Sequence, residues 1–394
     1  MAIAQGSSEL NISVVVAAAD EGKAMNALHE AFFLSDTKEL HLFMVGVGLI
    51  GSTLIEQIRE QAAFLKEKRS LELKIVGLAS STKMLFEENG IDLARWRELL
   101  DASGEKISLS TFVERMKSLN LSNSIFVDNT ASEQVTQFYE TILESSISIS
   151  TPNKIATSSS YEQYQRLKSI ATRRGVPFLY ETNVGAGLPV IGTLEDLITS
   201  GDRIIKIEGV LSGTMSFIFN NFKAGGEPFS AIVREAKRRG YTEPDPRDDL
   251  GGADVRRKLL ILARETGLPL EAADVQIESI LPKAAQDAPN VEAFFAELEK
   301  ADIHFEKMVA DAAKGGKALR MIASLDNGQA SIGLQAVDAS HPFYALSGSD
   351  NMIVFTTERY KERPLVVRGP GAGAAVTAAG VFAEIVRIGS YLGN

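Results

Sequence analysis

The chain has 394 residues, 45% of them hydrophobic and 23% charged, the composition of a globular protein with more than one core. A formal net charge of −10 argues against nucleic acid or an anionic membrane surface as partner, since no basic stripe could overcome that field. The absence of cysteine excludes disulfides, thiolate metal sites and thiol nucleophiles, and the histidines His29, His41, His304 and His341 stand at no metal-ligand spacing.

From the N-terminus, residues 11–17 predict a strand and 20–33 a helix opened by Asp20, set apart from the next strand by a polar break. The start, MAIAQGSSEL, has neither the cationic nor the apolar region of a signal peptide, and no apolar run approaches a membrane span. A cytoplasmic protein is expected. His41 to Val45 suits a buried parallel strand, and residues 51–67 a helix. Further strands over 71–80, 124–132 and 145–154, with helical stretches between them, predict an α/β fold with a Rossmann-type doubly wound parallel sheet. After about residue 190 the pattern changes. RIIKIEGVLSGTMSFIF (203–219), ALRMIASL, ASIGLQAV and NMIVFTTERY read as strands of a mixed sheet, with FSAIVREAKRRG and ADVRRKLLILARETG as helices among them. The closing RGPGAGAAVTAAGVFAEIVRIGSYL is a glycine-rich turn feeding a helix of small residues.

Chemistry here has to run on lysine, carboxylates, hydroxyls or a borrowed cofactor. GVGLIG places Gly46, Gly48 and Gly51 in the G-x-G-x-x-G spacing after a strand and at the start of a helix. The first glycine permits a tight turn, the second lets backbone approach a pyrophosphate, and the third allows helix–strand packing. The helix N-terminus then offers free N–H groups and a positive dipole end to phosphates, with Leu49 and Ile50 of the turn also expected at the cofactor. The second strand ends in Ser80, Ser81, Thr82 and Lys83 with no acid to clasp a ribose diol, so a 2′-phosphate is tolerated and NADP use is plausible; Lys83 reads equally as a surface cation.

Lys154, in TPNK, follows the fourth strand on the edge where doubly wound sheets bind ligands, and reads either as a site residue or as a snorkelling lysine. In ETNVGAGLP, Glu181 precedes Gly185, Ala186 and Gly187: an all-oxygen cage for a hard cation, or a hinge. GYTEPDPRDDLGGADVRRK (240–258) gathers Glu243, Asp245, Asp248 and Asp249 in a loop stiffened by Pro244 and Pro246. Asp254 and Lys258 follow at i and i+4 on one helix face, at the edge of an apolar stripe, so the lysine can be a proton donor tuned by burial against pairing. A solvated charge run needs no such stiffening. Tyr164 and Lys168 match a Tyr-x-x-x-Lys pair, but short-chain dehydrogenases have a different glycine spacing and a shorter chain, so this stretch reads as an amphipathic surface helix.

Seven segments in order, GVGLIG, VDNTAS, TPNK, ETNVGAGLP, EGVLSGTMSFIF, GYTEPDPRDDLGGADVRRK and GAGAAVTAAG, resemble the homoserine dehydrogenase family from about residue 39 onward. The leading segment resembles the end of an ACT regulatory region. The chain is similar to the C-terminal portion of bifunctional aspartokinase–homoserine dehydrogenases without the kinase domain, and its opening Met against mid-ACT sequence reads as a truncation. The resemblance implies reversible NAD(P)H-dependent reduction of L-aspartate 4-semialdehyde to L-homoserine, in threonine, methionine and isoleucine biosynthesis. It implies an ACT-like end over 1–36, a cofactor domain over 37–190 completed by 370–394, and a catalytic and dimerising α+β domain over 191–369, hence a homodimer. It carries over Lys258 as proton donor, Lys154 to orient substrate and nicotinamide, and Glu243, Asp254 and Asp249 to bind substrate. Thr130 and Gly373 would touch the cofactor, and Glu181 with the backbone of Val184, Ala186 and Leu188 would hold Na⁺ or K⁺. Aspartate-semialdehyde dehydrogenase, a neighbouring alternative, needs a cysteine that is absent here. A cofactor-sensing protein without chemistry is opposed by the intact Lys154 and Lys258.

Overall fold

The computed structural model describes residues 2–5, 12–18, 21, 24, 25, 28, 37–103 and 105–391. Strand β1 (Ala2–Gln5) pairs antiparallel with β2 (Ile12–Val15), and most of the helix expected over 20–33 lies outside the described residues. By its internal contacts the chain forms two compact units. One comprises Met1–Asn153, Arg166–Leu179 and Val381–Asn394; the other comprises Lys154–Gln165 and Tyr180–Gly380.

The first unit carries β3 (Lys38–Val45), β4 (Leu71–Ala79), β5 (Lys83–Phe86), β6 (Glu105–Lys106), β7 (Ser124–Asp128), β8 (Ser148–Ser150) and β9 (Phe178–Leu179). Their order in the sheet is β6-β5-β4-β3-β7-β8-β9, parallel except for the antiparallel β4/β5 and β5/β6 pairs. β3 and β7 are almost wholly buried, the reason they read as apolar runs rather than alternating patterns. From β3 the chain goes through helix Leu49–Arg69 to β4 on one side and returns to β7 on the other. The carboxyl ends of β3 and β7 therefore meet at the switch point where open α/β sheets bind ligands. Rings of Phe43, Phe86, Phe112, Phe126, Tyr139 and Phe178 follow one another at 4.8–6.5 Å between centroids. Gly77 makes room for them, since a Cβ there would lie 2.8 Å from the Phe43 ring.

The second unit carries β10 (Ile204–Val210), β11 (Gln276–Ile277), β12 (Ala318–Asp326), β13 (Gln329–Val337), β14 (Asp350–Thr357) and β15 (Leu365–Pro370). They form a mixed sheet in the order β11-β13-β12-β10-β14-β15, with only β11/β13 parallel. The strand expected over 203–219 stops at Val210, and Gly213–Asn221 is a helix. Ser212 starts it by accepting the Met215 N–H at 3.2 Å. Thr214 to Phe219 are all buried, so every face of the helix is apolar or small and the 3.6-residue period that would have revealed it is erased. The terminal glycine-rich segment gives helix Ala374–Tyr391, as the pattern predicted.

Candidate active site

In the first unit the chain leaves β3 through Gly46, whose φ of +91° only glycine adopts readily. A Cβ on Gly46 would lie 2.8 Å from Thr130 Cγ2, and one on Gly51 would lie 2.0 Å from the Gly46 carbonyl oxygen. Gly48 faces open space and caps helix Leu49–Arg69 without a side-chain hydrogen bond, leaving the first-turn N–H groups of Leu49, Ile50 and Gly51 for an outside acceptor. Gly46 and Gly48 line a groove of about 1150 Å³ together with Ser80, Ser81, Asn129 and Thr130.

Both side-chain polar atoms of Asn129 are buried there without a hydrogen-bond partner, which fits a ligand that supplies donors and acceptors. The turn is set by Asp128, fully buried, which accepts the Thr130 N–H at 2.8 Å, the Tyr139 hydroxyl at 2.7 Å and the Asn153 amide at 3.0 Å. Burial pushes the Asp128 carboxyl up against the pull of these donors. Neither Asp128 nor Asn129 was singled out from sequence, although a polar pair closing a buried strand was the available signal. Lys83 is not part of the groove: it opens β5 and its ammonium donates to the Asp101 carbonyl at 2.5 Å. The hydroxyls Ser80 and Ser81 remain. Gly51→Ala is expected to weaken dinucleotide binding about fivefold or more, since overpacking at a site with no room to relax costs about 1–3 kcal/mol. Fluorescence titration with NADPH checks this, and unchanged affinity would mean that the turn is not the cradle.

In the second unit, helix Ala253–Glu265 carries Asp254 in its first turn and Lys258 one turn on. Gly252 enters the helix at φ +74°. Asp254 Oδ2 lies 2.7 Å from Lys258 Nζ, and its Oδ1 lies 3.4 Å from Lys154 Nζ. One carboxylate is thus shared by two lysines about a hundred residues apart in the chain. Lys258 also donates to the Leu211 carbonyl at 2.7 Å, and its side chain is only 9% exposed. An ammonium has three N–H donors, so Asp254 and Leu211 leave one.

Burial lowers the Lys258 pKa and Asp254 counters it in part. Burial would raise the Asp254 carboxyl, but Lys258 and then Lys154 more than offset this and hold it low. Asp249 accepts the Glu243 N–H at 2.8 Å and the Thr214 hydroxyl at 3.0 Å, fixing the loop that presents the exposed Glu243. Burial raises the Asp249 carboxyl, and Asp248 and Asp254 add to this. What looked like an irregular loop contains one helical turn, Pro246–Leu250, capped by Asp245 through the Arg247 N–H, with proline where no N–H is needed.

The Glu181 carboxylate is buried and accepts three N–H groups at the start of helix Ile191–Thr199: Val190 at 2.7 Å, Ile191 at 2.6 Å and Gly192 at 2.9 Å. Gly185 (φ +78°) and Ala186 (φ +53°) turn the loop, and the Thr182 hydroxyl is buried without a hydrogen-bond partner. The glycines of two distant segments prove to be there for each other: a Cβ on Gly187 would lie 2.4 Å from the Val376 carbonyl oxygen, and one on Gly380 would lie 3.1 Å from Gly187 Cα. Gly373, φ +118°, sits just before that helix in the second unit. Tyr161–Arg174 is a helix as expected, and Tyr164 lies on its buried face, donating to Glu265 at 2.8 Å.

Residues 189–386 match the family model described as Homoserine dehydrogenase, residues 46–181 that described as Homoserine dehydrogenase, NAD binding domain, and residues 1–32 that described as ACT domain. The chain is 46% identical, over its whole length, to 43% of bifunctional aspartokinase/homoserine dehydrogenase 2, chloroplastic, of Arabidopsis thaliana. It therefore spans less than half the length of the bifunctional relatives it matches. A homoserine dehydrogenase of Schizosaccharomyces pombe is 42% identical over 90% of this chain and 96% of that protein. A crystal structure of a Candida auris protein of unknown function superposes with a TM-score of 0.83 at 35% identity, covering 91% of this chain and all of the other.

Proposed function

The chain belongs to the homoserine dehydrogenase family, and on that premise we propose that it catalyses the reversible NAD(P)H-dependent reduction of L-aspartate 4-semialdehyde to L-homoserine. The observation that carries this is the buried Lys258 with one N–H donor left over, held by an Asp254 that also faces Lys154. The bound nicotinamide supplies the hydride. Lys258 balances the negative charge that develops on the aldehyde oxygen and hands it a proton, both of which a cation fixed in a poorly solvated place does well. Asp254 favours the charged form of that lysine, in part against its burial. Lys154 orients the substrate, and the exposed Glu243, braced by Asp249, binds the substrate ammonium.

The groove at Gly46 to Gly51, with Asn129 and Thr130, would hold the dinucleotide. Ser80 and Ser81 without a neighbouring acid favour NADP. The family's monovalent cation would be held by the backbone carbonyls of Val184, Ala186 and Leu188, hard oxygens of the kind such a cation takes. The Glu181 carboxylate, already engaged by three N–H groups, would supply negative charge rather than a free ligand arm. A homodimer in the cytoplasm, acting in threonine and methionine biosynthesis, completes the reading. Among the described residues no helix is long and apolar enough to cross a membrane.

The test is oxidation of NADPH by folded protein on addition of aspartate 4-semialdehyde, with homoserine as product. Folded protein that binds NADPH but shows no turnover would favour a cofactor sensor and overturn the enzymatic reading.

A further inference from the structure

Lys154 opens a short segment, 154–165, that belongs to the second unit although the residues on either side of it do not. Its backbone is closed into a tight turn: the Lys154 carbonyl accepts the Ser158 N–H at 3.0 Å, the Ser158 hydroxyl at 2.7 Å and the Thr157 hydroxyl at 3.1 Å. Thr157 is fully buried, and its carbonyl accepts Arg264 Nη1 at 3.0 Å. Arg264 is itself 2% exposed. Its guanidinium donates further to the Leu270 carbonyl at 3.0 Å and to Glu271 Oε2 at 3.1 Å, and lies over the rings of Tyr161 and Tyr164. Glu271 in turn accepts the Tyr161 N–H at 2.8 Å. The next residue, Glu265, accepts the hydroxyls of Tyr164 at 2.8 Å and Tyr180 at 2.5 Å through one oxygen.

Arg264 and Glu265 end the helix whose first turn carries Asp254. Ten helical residues make a rigid rod of about 15 Å. The segment is therefore tied to both ends of one rod: by its own lysine to Asp254, and by Thr157, Tyr161 and Tyr164 to the far end. Burying a guanidinium is costly, and nothing in the proposed chemistry uses this one. We infer that Arg264 is a positioning residue, a clamp on the turn at Thr157 that sets where the Lys154 ammonium stands relative to Asp254 and Lys258.

The inference rests on the role given to Lys154 above, so the test is a double-mutant cycle. Arg264→Met is expected to lower kcat about tenfold to a hundredfold, the scale of an ångström-sized misplacement. NADPH affinity should stay close to that of the parent, whereas the melting temperature should fall, because the Thr157 and Leu270 carbonyls lose their donor. In the Lys154→Ala background the same substitution should cost nothing further, and amide hydrogen exchange across 154–165 should quicken. Losses that multiply in the double variant, or unchanged exchange, would overturn the clamp. If Lys154→Ala alone leaves turnover intact, it is the assignment of Lys154 that fails. Should Arg264→Met not fold, Glu271→Gln at the half-exposed end of the clamp is the second variant. A few-fold loss of kcat is expected, the worth of one hydrogen bond, and it too should vanish without Lys154; a loss that persists there would overturn the clamp.

Discussion

Lys258→Ala is expected to lower turnover about a thousandfold or more, within the range that a positioned general acid and a fixed charge contribute, while NADPH binds as before. The side chain is buried against the Leu211 carbonyl and the Asp254 carboxylate, so its ammonium sits in one place and is not replaced by water without loss. On the proposed role, its removal takes away both the charge that balances a developing alkoxide and the proton that neutralises it. The glycine-lined groove belongs to other strands and another unit of the chain, so dinucleotide affinity has no reason to fall. Stopped-flow single turnovers together with a NADPH titration separate the two quantities. Equal losses in both would move Lys258 from proton donor to cofactor ligand.

The second large effect concerns the charge that Lys258 and Lys154 share. Asp254→Asn keeps the shape and one carbonyl oxygen but removes the negative charge facing both ammoniums. Burial already lowers the Lys258 pKa, with Asp254 as the main opposing influence and Lys154 adding to the lowering. Without the carboxylate the pKa must fall further. In the proposed mechanism the active form in the reductive direction is the protonated lysine, and activity is lost as pH rises through its pKa. The alkaline limb of kcat should therefore move to lower pH in the variant, and turnover near neutrality should drop about a hundredfold. Under the same proposal homoserine oxidation would need the neutral lysine, so its acidic limb should move the same way, to lower pH. pH profiles in both directions check the sign; a limb that stays in place would show that Asp254 does not tune the donor.

The clearest features of the chain were legible because they are local. The i, i+4 spacing of Asp254 and Lys258 is fixed by helix geometry alone, and the pair forms at 2.7 Å. The G-x-G-x-x-G turn is a set of backbone conformations and close approaches that only glycine allows, so Gly46 and Gly51 announced it. Strands β3 and β7 were visible as apolar runs because they are almost wholly buried in a parallel sheet. The same logic failed at Gly213–Asn221, where burial on every side made a helix look like a continuing strand.

Lys83 and Glu181 show a different limit. A lysine beside a strand end and a carboxylate before a glycine loop are compatible with several partners. The partners they have, the Asp101 carbonyl and the N–H groups of helix Ile191–Thr199, come from elsewhere in the chain.

The sequence by itself determined the two sheet types, the glycine turn and the lysine–aspartate pair, because each depends on residues within a few positions of one another and on backbone sterics. Tertiary structure alone decided that Lys154 meets the far side of Asp254, that Asn129 stands unpaired over the groove, and that Arg264 grips the turn behind Lys154. Those contacts join groups as much as about a hundred residues apart, and no local spacing encodes which buried donor will find which acceptor once the chain has closed around them.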